Sequence, residues 1–148
     1  REDGLPRIVV RKLADGGEGP IGIKKEYPLT SNPYVNWAPF WHPSQKFLVY
    51  SSSQAGGTGP QAHSNYETYA IPLNLDLIRM GKDATSIEPI RITFAPGADL
   101  LPAFSDDGKL MIWTSQRGGG TEGGGRPSSQ LWIAEWIGDS VIESAGAK

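Results

Sequence analysis

The chain of 148 residues contains no cysteine, two histidines and two methionines. Without cysteine there is no disulfide framework, no thiolate metal site and no thiol nucleophile, and either redox compartment is open to it. Neither His42 nor His63 has a partner that spacing identifies as part of a triad. No His-Glu-x-x-His and no Gly-x-Ser-x-Gly run occurs either. Long apolar runs are also missing, none approaching the roughly 18 residues of a membrane span. No basic segment leads into an apolar one, so no signal peptide is read; a start at Arg1 rather than Met reads as a processed product or part of something longer. Charge of one sign is scarce. Fourteen basic and 16 acidic side chains give a net −2, and Lys and Arg form no block, so no nucleic-acid partner is expected.

What the chain has in quantity is glycine (19) and proline (12), with five tryptophans and 38% hydrophobic residues. That composition supports a packed core, and the length suits one domain. Sliding the chain against itself shows an internal repeat of 63 residues, with Pro39 over Pro102 and no gap. Lys46-Phe47-Leu48-Val49-Tyr50-Ser51-Ser52 falls on Lys109-Leu110-Met111-Ile112-Trp113-Thr114-Ser115. Thr68-Tyr69-Ala70-Ile71 falls on Leu131-Trp132-Ile133-Ala134, and Gly56-Gly57-Thr58 on Gly119-Gly120-Thr121.

Each repeat reads as four short strands. The first (35–41, 98–104) carries a proline and so has few ladder partners there. The turn Ser105-Asp106-Asp107-Gly108 is a hairpin signal, whereas its first-copy counterpart His42-Pro43-Ser44-Gln45 lacks the glycine. The second strand (46–52, 109–115) is a continuous apolar run, as expected of a strand buried on both faces. The third is 67–73 or 130–136, and the fourth lies near 89–93 or 26–30. At the N-terminus, residues 7–13 read as a third strand, Asp15-Gly16-Gly17 as a turn and 21–30 as a fourth strand. Residues 140–144 read as a last strand. Residues 74–86 read as an insertion in the first full unit, with a helical turn over 75–80. The expected division is a partial blade at 1–31, then full units at 32–94 and 95–148.

The run Ala103-Phe104-Ser105-Asp106-Asp107-Gly108-Lys109, an apolar strand, then Thr114-Ser115-Gln116-Arg117 resembles the repeat of TolB-type β-propellers, also called PD40 or WD40-like repeats. That pattern is Pro-x-Phe-Ser-Pro-Asp-Gly-Lys, a strand, then Thr-Ser-x-Arg, and Asp106 stands in place of its second proline. Ile92-Thr93 matches the end of the preceding unit and Gln130–Ala134 the third strand; the copy from Pro39 to Ser53 loses Asp-Gly. The resemblance implies an all-β fold of four-stranded antiparallel propeller blades, about two and a half of them, in an incomplete ring. It also implies an extracytoplasmic setting, in the bacterial periplasm or at the cell surface. Trp41/Phe104, Tyr50/Trp113 and Tyr69/Trp132 are then expected to pack between blades. Rings usually close with roughly 4–8 blades, so the remaining blades must come from a longer parent, another chain or self-assembly.

Catalytic, cofactor and metal residues are not expected. The Gly120–Pro127 run lacks the Lys-Ser/Thr of a phosphate loop, and Asp106 and Asp107 lack the ligand spacing of a calcium loop. Asn36 and Asp99 stand at matching starts of first strands, where they could face the channel. Long glycine-rich loops at 53–65 and 116–129 suit either a solvated link or a partner surface. In the second case Gln54, His63, Arg117 and Arg126 are the polar contacts. The expected function is a non-catalytic, protein-binding structural subunit of a larger complex. The alternatives are the propeller part of an enzyme, such as a cap over a serine peptidase, or a small-ligand or sugar-binding propeller.

Overall fold

The computed structural model describes residues 9–13, 23–56, 65–80, 85, 87–118 and 128–146. Strands β1 (Val9–Leu13) and β2 (Ile23–Pro28) form an antiparallel pair. The first blade is a meander of β3 (Asn36–Trp41), β4 (Phe47–Ser52), β5 (Glu67–Pro72) and the short β6 (Ile90–Arg91), in that spatial order. The second blade has β7 (Asp99–Phe104), β8 (Leu110–Ser115) and β9 (Gln130–Glu135). The fold is all-β, as the alternation and turns require, and the propeller is incomplete.

The 63-residue repeat is reproduced pair for pair. Asn36 faces Ser52 as Asp99 faces Ser115, and Phe47 faces Pro72 as Leu110 faces Glu135. Even the irregularity recurs. Each first strand is bulged at its proline, and the residue before it takes a left-handed backbone, Ala38 at φ 50° and Leu101 at φ 56°. In the hairpin turns Gly108 has φ 71°, and Gln45 adopts φ 61° at the same place without being glycine. Gly108 is required twice over, because a Cβ there would come within 2.6 Å of the His42 ring.

Period-2 alternation sends the side chains of the first blade to two cores. Leu48, Tyr50, Tyr69 and Ile71 pack with Leu29 and Ile78 on one face. Phe47, Val49 and Ala70 pack on the other against Phe104, Met111 and Trp113 of the second blade. The first blade is thus filled on both sides. The second is filled on one, so the expectation of a second strand buried on both faces holds for β4 and fails for β8, whose outer face meets no further blade among the described residues. Of the aromatics expected to pack between blades, Tyr50, Tyr69, Phe104 and Trp113 are buried, while Trp41 and Trp132 stay exposed.

The last element corrects the sequence reading. Residues 140–144 are not a strand but part of a helix, α2 (Asp139–Gly146), which sends Ile142 into the core between the blades. The β-branched Val141-Ile142 pair suggested extension, but one buried position on a helical face outweighs that propensity. The repeat explains it. Helix α1 (Leu75–Arg79) follows β5 as α2 follows β9 and likewise buries an isoleucine, Ile78, 64 residues before Ile142, so residues 74–86 contain a repeated helix rather than an insertion peculiar to one unit.

Candidate interaction site

Two arginine–carboxylate pairs lie where β5 and β7 begin. Asp99 is buried, accepts a hydrogen bond from Trp113 Nε1 at 3.2 Å and pairs with Arg117 Nη2 at 2.7 Å. Arg117 also donates from Nε to Ser115 Oγ at 2.9 Å and stacks over Trp113 and Trp132. Arg117 therefore holds the blade's inner strand to its second and third. Beside it Glu67, fully buried, accepts from Arg91 Nη2 at 2.7 Å and from Thr93 Oγ1 at 2.5 Å. Burial pushes the Glu67 carboxyl above its ordinary value, against the opposing pull of Thr93 and Arg91. Sequence reading missed Glu67 and Arg91; the available signal was a lone carboxylate opening an otherwise apolar strand.

The other named residues are placed as follows. Gln54 lies at Arg117's position in the first repeat, in a short 3₁₀ turn over Ser53–Gly56, half-buried. Its backbone N–H bonds Ser52 Oγ as that of Arg117 bonds Ser115 Oγ. Asn36, Asp99's counterpart, is buried too, and accepts from Ser52 Oγ at 2.8 Å. His63 and Arg126 lie outside the described residues, as does most of each glycine-rich loop. Arg117 and Gln54 thus sit at equivalent blade positions, and only the first carries charge.

His42 joins the blades rather than standing in an isolated turn. Its ring stacks on Phe47 at 4.3 Å, meets Phe104 edge-on and places Nε2 3.2 Å from the Gly108 carbonyl. Its Nδ1 is 2.8 Å from Ser44 Oγ, at the two positions where Ser105 Oγ donates to Asp107 Oδ1 in the second turn. Hydrogen bonds from Leu101 N to Ser51 Oγ and from Asp99 N to the Tyr66 carbonyl complete the seam.

Beyond that seam lies an open apolar face. Leu110, Ile112 and Ile133 are 39%, 40% and 63% exposed, whereas their first-copy counterparts Phe47, Val49 and Ala70 are fully buried. Leu131 is exposed beside them at 76%. Among the described residues no group of three His, Asp or Glu side chains could hold a metal ion, and both buried carboxylates are already engaged by arginines.

No family model matches the chain, and no curated protein does. A solved structure, "putative TolB" from Agrobacterium tumefaciens, is similar to it with a TM-score of 0.52 at 18% identity. The match covers 75% of this chain and 33% of that one, so this chain spans about a third of that protein's length. At that identity the likeness is one of fold. Together with the stacked meanders it defines the class: a β-propeller segment of TolB-like fold. No helix among the described residues is long and apolar enough to cross a membrane.

Proposed function

We propose that this chain is a non-catalytic propeller segment that acts as a protein-interaction and structural subunit of a larger assembly. The observation that carries the reading is the open face of the second blade. Three positions fully buried in the first copy are exposed in the second, and contiguous apolar surface of that kind marks a docking site. The TolB-like fold supports an extracytoplasmic setting. The buried ion pairs are engaged in packing the blades, which favours a structural role over catalysis.

The test is association in solution. Light scattering across a concentration series is expected to show that the chain self-associates or captures further blades, and that Ile112→Lys with Ile133→Lys abolishes this while retaining the β-sheet spectrum. A chain that stays monomeric and binds no apolar dye at this face would overturn the reading.

A further inference from the structure

The two copies of the repeat line one place with different chemistry. In the first, Ser31, Asn32 and Gln54 stand on one side of a hollow of about 170 Å³, with Glu88 and Pro89, which lead into β6, on the other. At the matching positions the second copy has Phe94, Ala95 and Arg117, in the wall of an open groove of about 610 Å³. A phenyl ring, a methyl group and a guanidinium are thus replaced by a hydroxyl and two carboxamides. Arg117 is drawn to Asp99, whereas the Gln54 carboxamide meets no carboxylate. Asn36 stands in Asp99's place and is already engaged. Its Oδ1 accepts from Ser52 Oγ at 2.8 Å, and its Nδ2 donates to Asn32 Oδ1 at 2.8 Å and to the Tyr34 carbonyl at 3.1 Å. Asn32 Oδ1 also accepts from Tyr34 N at 3.1 Å, which fixes that amide and leaves its Nδ2 donors for the hollow.

We propose that this hollow binds a single sugar ring through its hydroxyl groups. Its volume is that of about five or six waters at the ~30 Å³ each takes in the liquid, the space one monosaccharide displaces. Among the described residues no lysine or arginine lines it, so an anion finds no counter-charge there. Glu88 is the one acidic side chain in that lining, too little to hold a metal ion. What remains is a set of neutral donors and acceptors with a single exposed carboxylate, which can accept from two adjacent hydroxyls. Leu29 and Pro89 supply an apolar wall for the C–H side of the ring. A polyol also repeats the hydrogen bonds of the waters it displaces, as an apolar ligand does not. The inference goes beyond the docking reading and does not use the open face, so either can fail without the other.

The probes are glucose, galactose and mannose, added to the isotope-labelled chain while the side-chain amide signals of Asn32 and Gln54 are followed by nuclear magnetic resonance. We expect at least one hexose to shift both signals saturably, with a dissociation constant of about 1–10 mM. Ser31→Phe with Gln54→Arg gives the hollow the lining of the second copy and should abolish the shift of the Asn32 signal while the β-sheet spectrum is retained. Gln54→Met keeps the size of the side chain without its amide. It should weaken binding roughly fivefold, the loss of one hydrogen bond, and it serves as the test if the double variant does not fold. No saturable shift with any of the three sugars up to about 100 mM, ten times the weakest constant expected, overturns the proposal. Equal binding by Gln54→Met, or by a folded double variant, overturns it too, since either places the sugar elsewhere on the surface.

Discussion

At the residue scale, the two copies of the repeat act as an internal substitution experiment. Asp99 and Arg117 form a buried ion pair where the first copy has Asn36 and Gln54, so the charges come and go together. Arg117→Gln alone leaves a buried carboxylate without its counter-charge and should cost about 2–4 kcal/mol, the lower figure reflecting the arginine's partial exposure. Adding Asp99→Asn should return at least half of that, because Ser115 can serve the amide as Ser52 serves Asn36. Urea unfolding of the two single variants and the double variant measures it; additive losses would contradict the pairing. Glu67 makes a second prediction. Its carboxyl titrates higher in the folded chain than in the unfolded one, where 4.5 is the reference, so its protonation favours the fold. Its contribution is full below about 4.5 and is lost as the pH rises through the higher folded value. The stability of wild type minus that of Glu67→Gln should therefore fall with rising pH across that window, read from urea midpoints at several pH values.

At the element scale, strand positions and pairing were largely legible from the repeat, because period-2 alternation and a proline-marked bulge are local. The hairpin turn shows where local chemistry yields to context. Gln45 adopts the left-handed backbone that Gly108 takes in the second copy, held by its N–H to the His42 carbonyl at 2.8 Å. Gln45→Gly should therefore stabilise the chain by about 0.5–1 kcal/mol, the usual cost of a side chain in that region less the extra freedom of glycine when unfolded. A raised urea midpoint with an unchanged slope is the expected measurement. Helix α2 was misread as a strand because Val141 and Ile142 favour extension by themselves. The decisive fact, Ile142 seated between two sheets, is a tertiary one.

At the scale of the whole molecule, stability is a sum over neighbouring units, since no sheet buries its faces without a neighbour packed on them. Leu29 and Tyr27, from the N-terminal unit and the link after it, close one face of the first blade. Removing residues 1–31 should uncover Leu48, Tyr50, Tyr69 and Ile71 and cost about 1.5–3 kcal/mol for each large side chain left exposed. The expected result is a lower urea midpoint and increased binding of an apolar dye; an unchanged midpoint would show that the N-terminal unit does not cover this face. Of the four residues read as polar contacts, Gln54 and Arg117 occupy equivalent blade positions. Their chemistry was hidden in the sequence because Arg117's partner, Asp99, lies 18 residues away across a strand pair.

The sequence by itself determined the unit. A 63-residue register, its turns and its alternating faces specify a four-stranded blade, because backbone pairing and side-chain direction follow from neighbours a few residues apart. Only the tertiary structure decided which faces are covered, which carboxylates are paired and which groove stands open. Those depend on what packs across the seam, and the same pattern is core in the first blade and surface in the second.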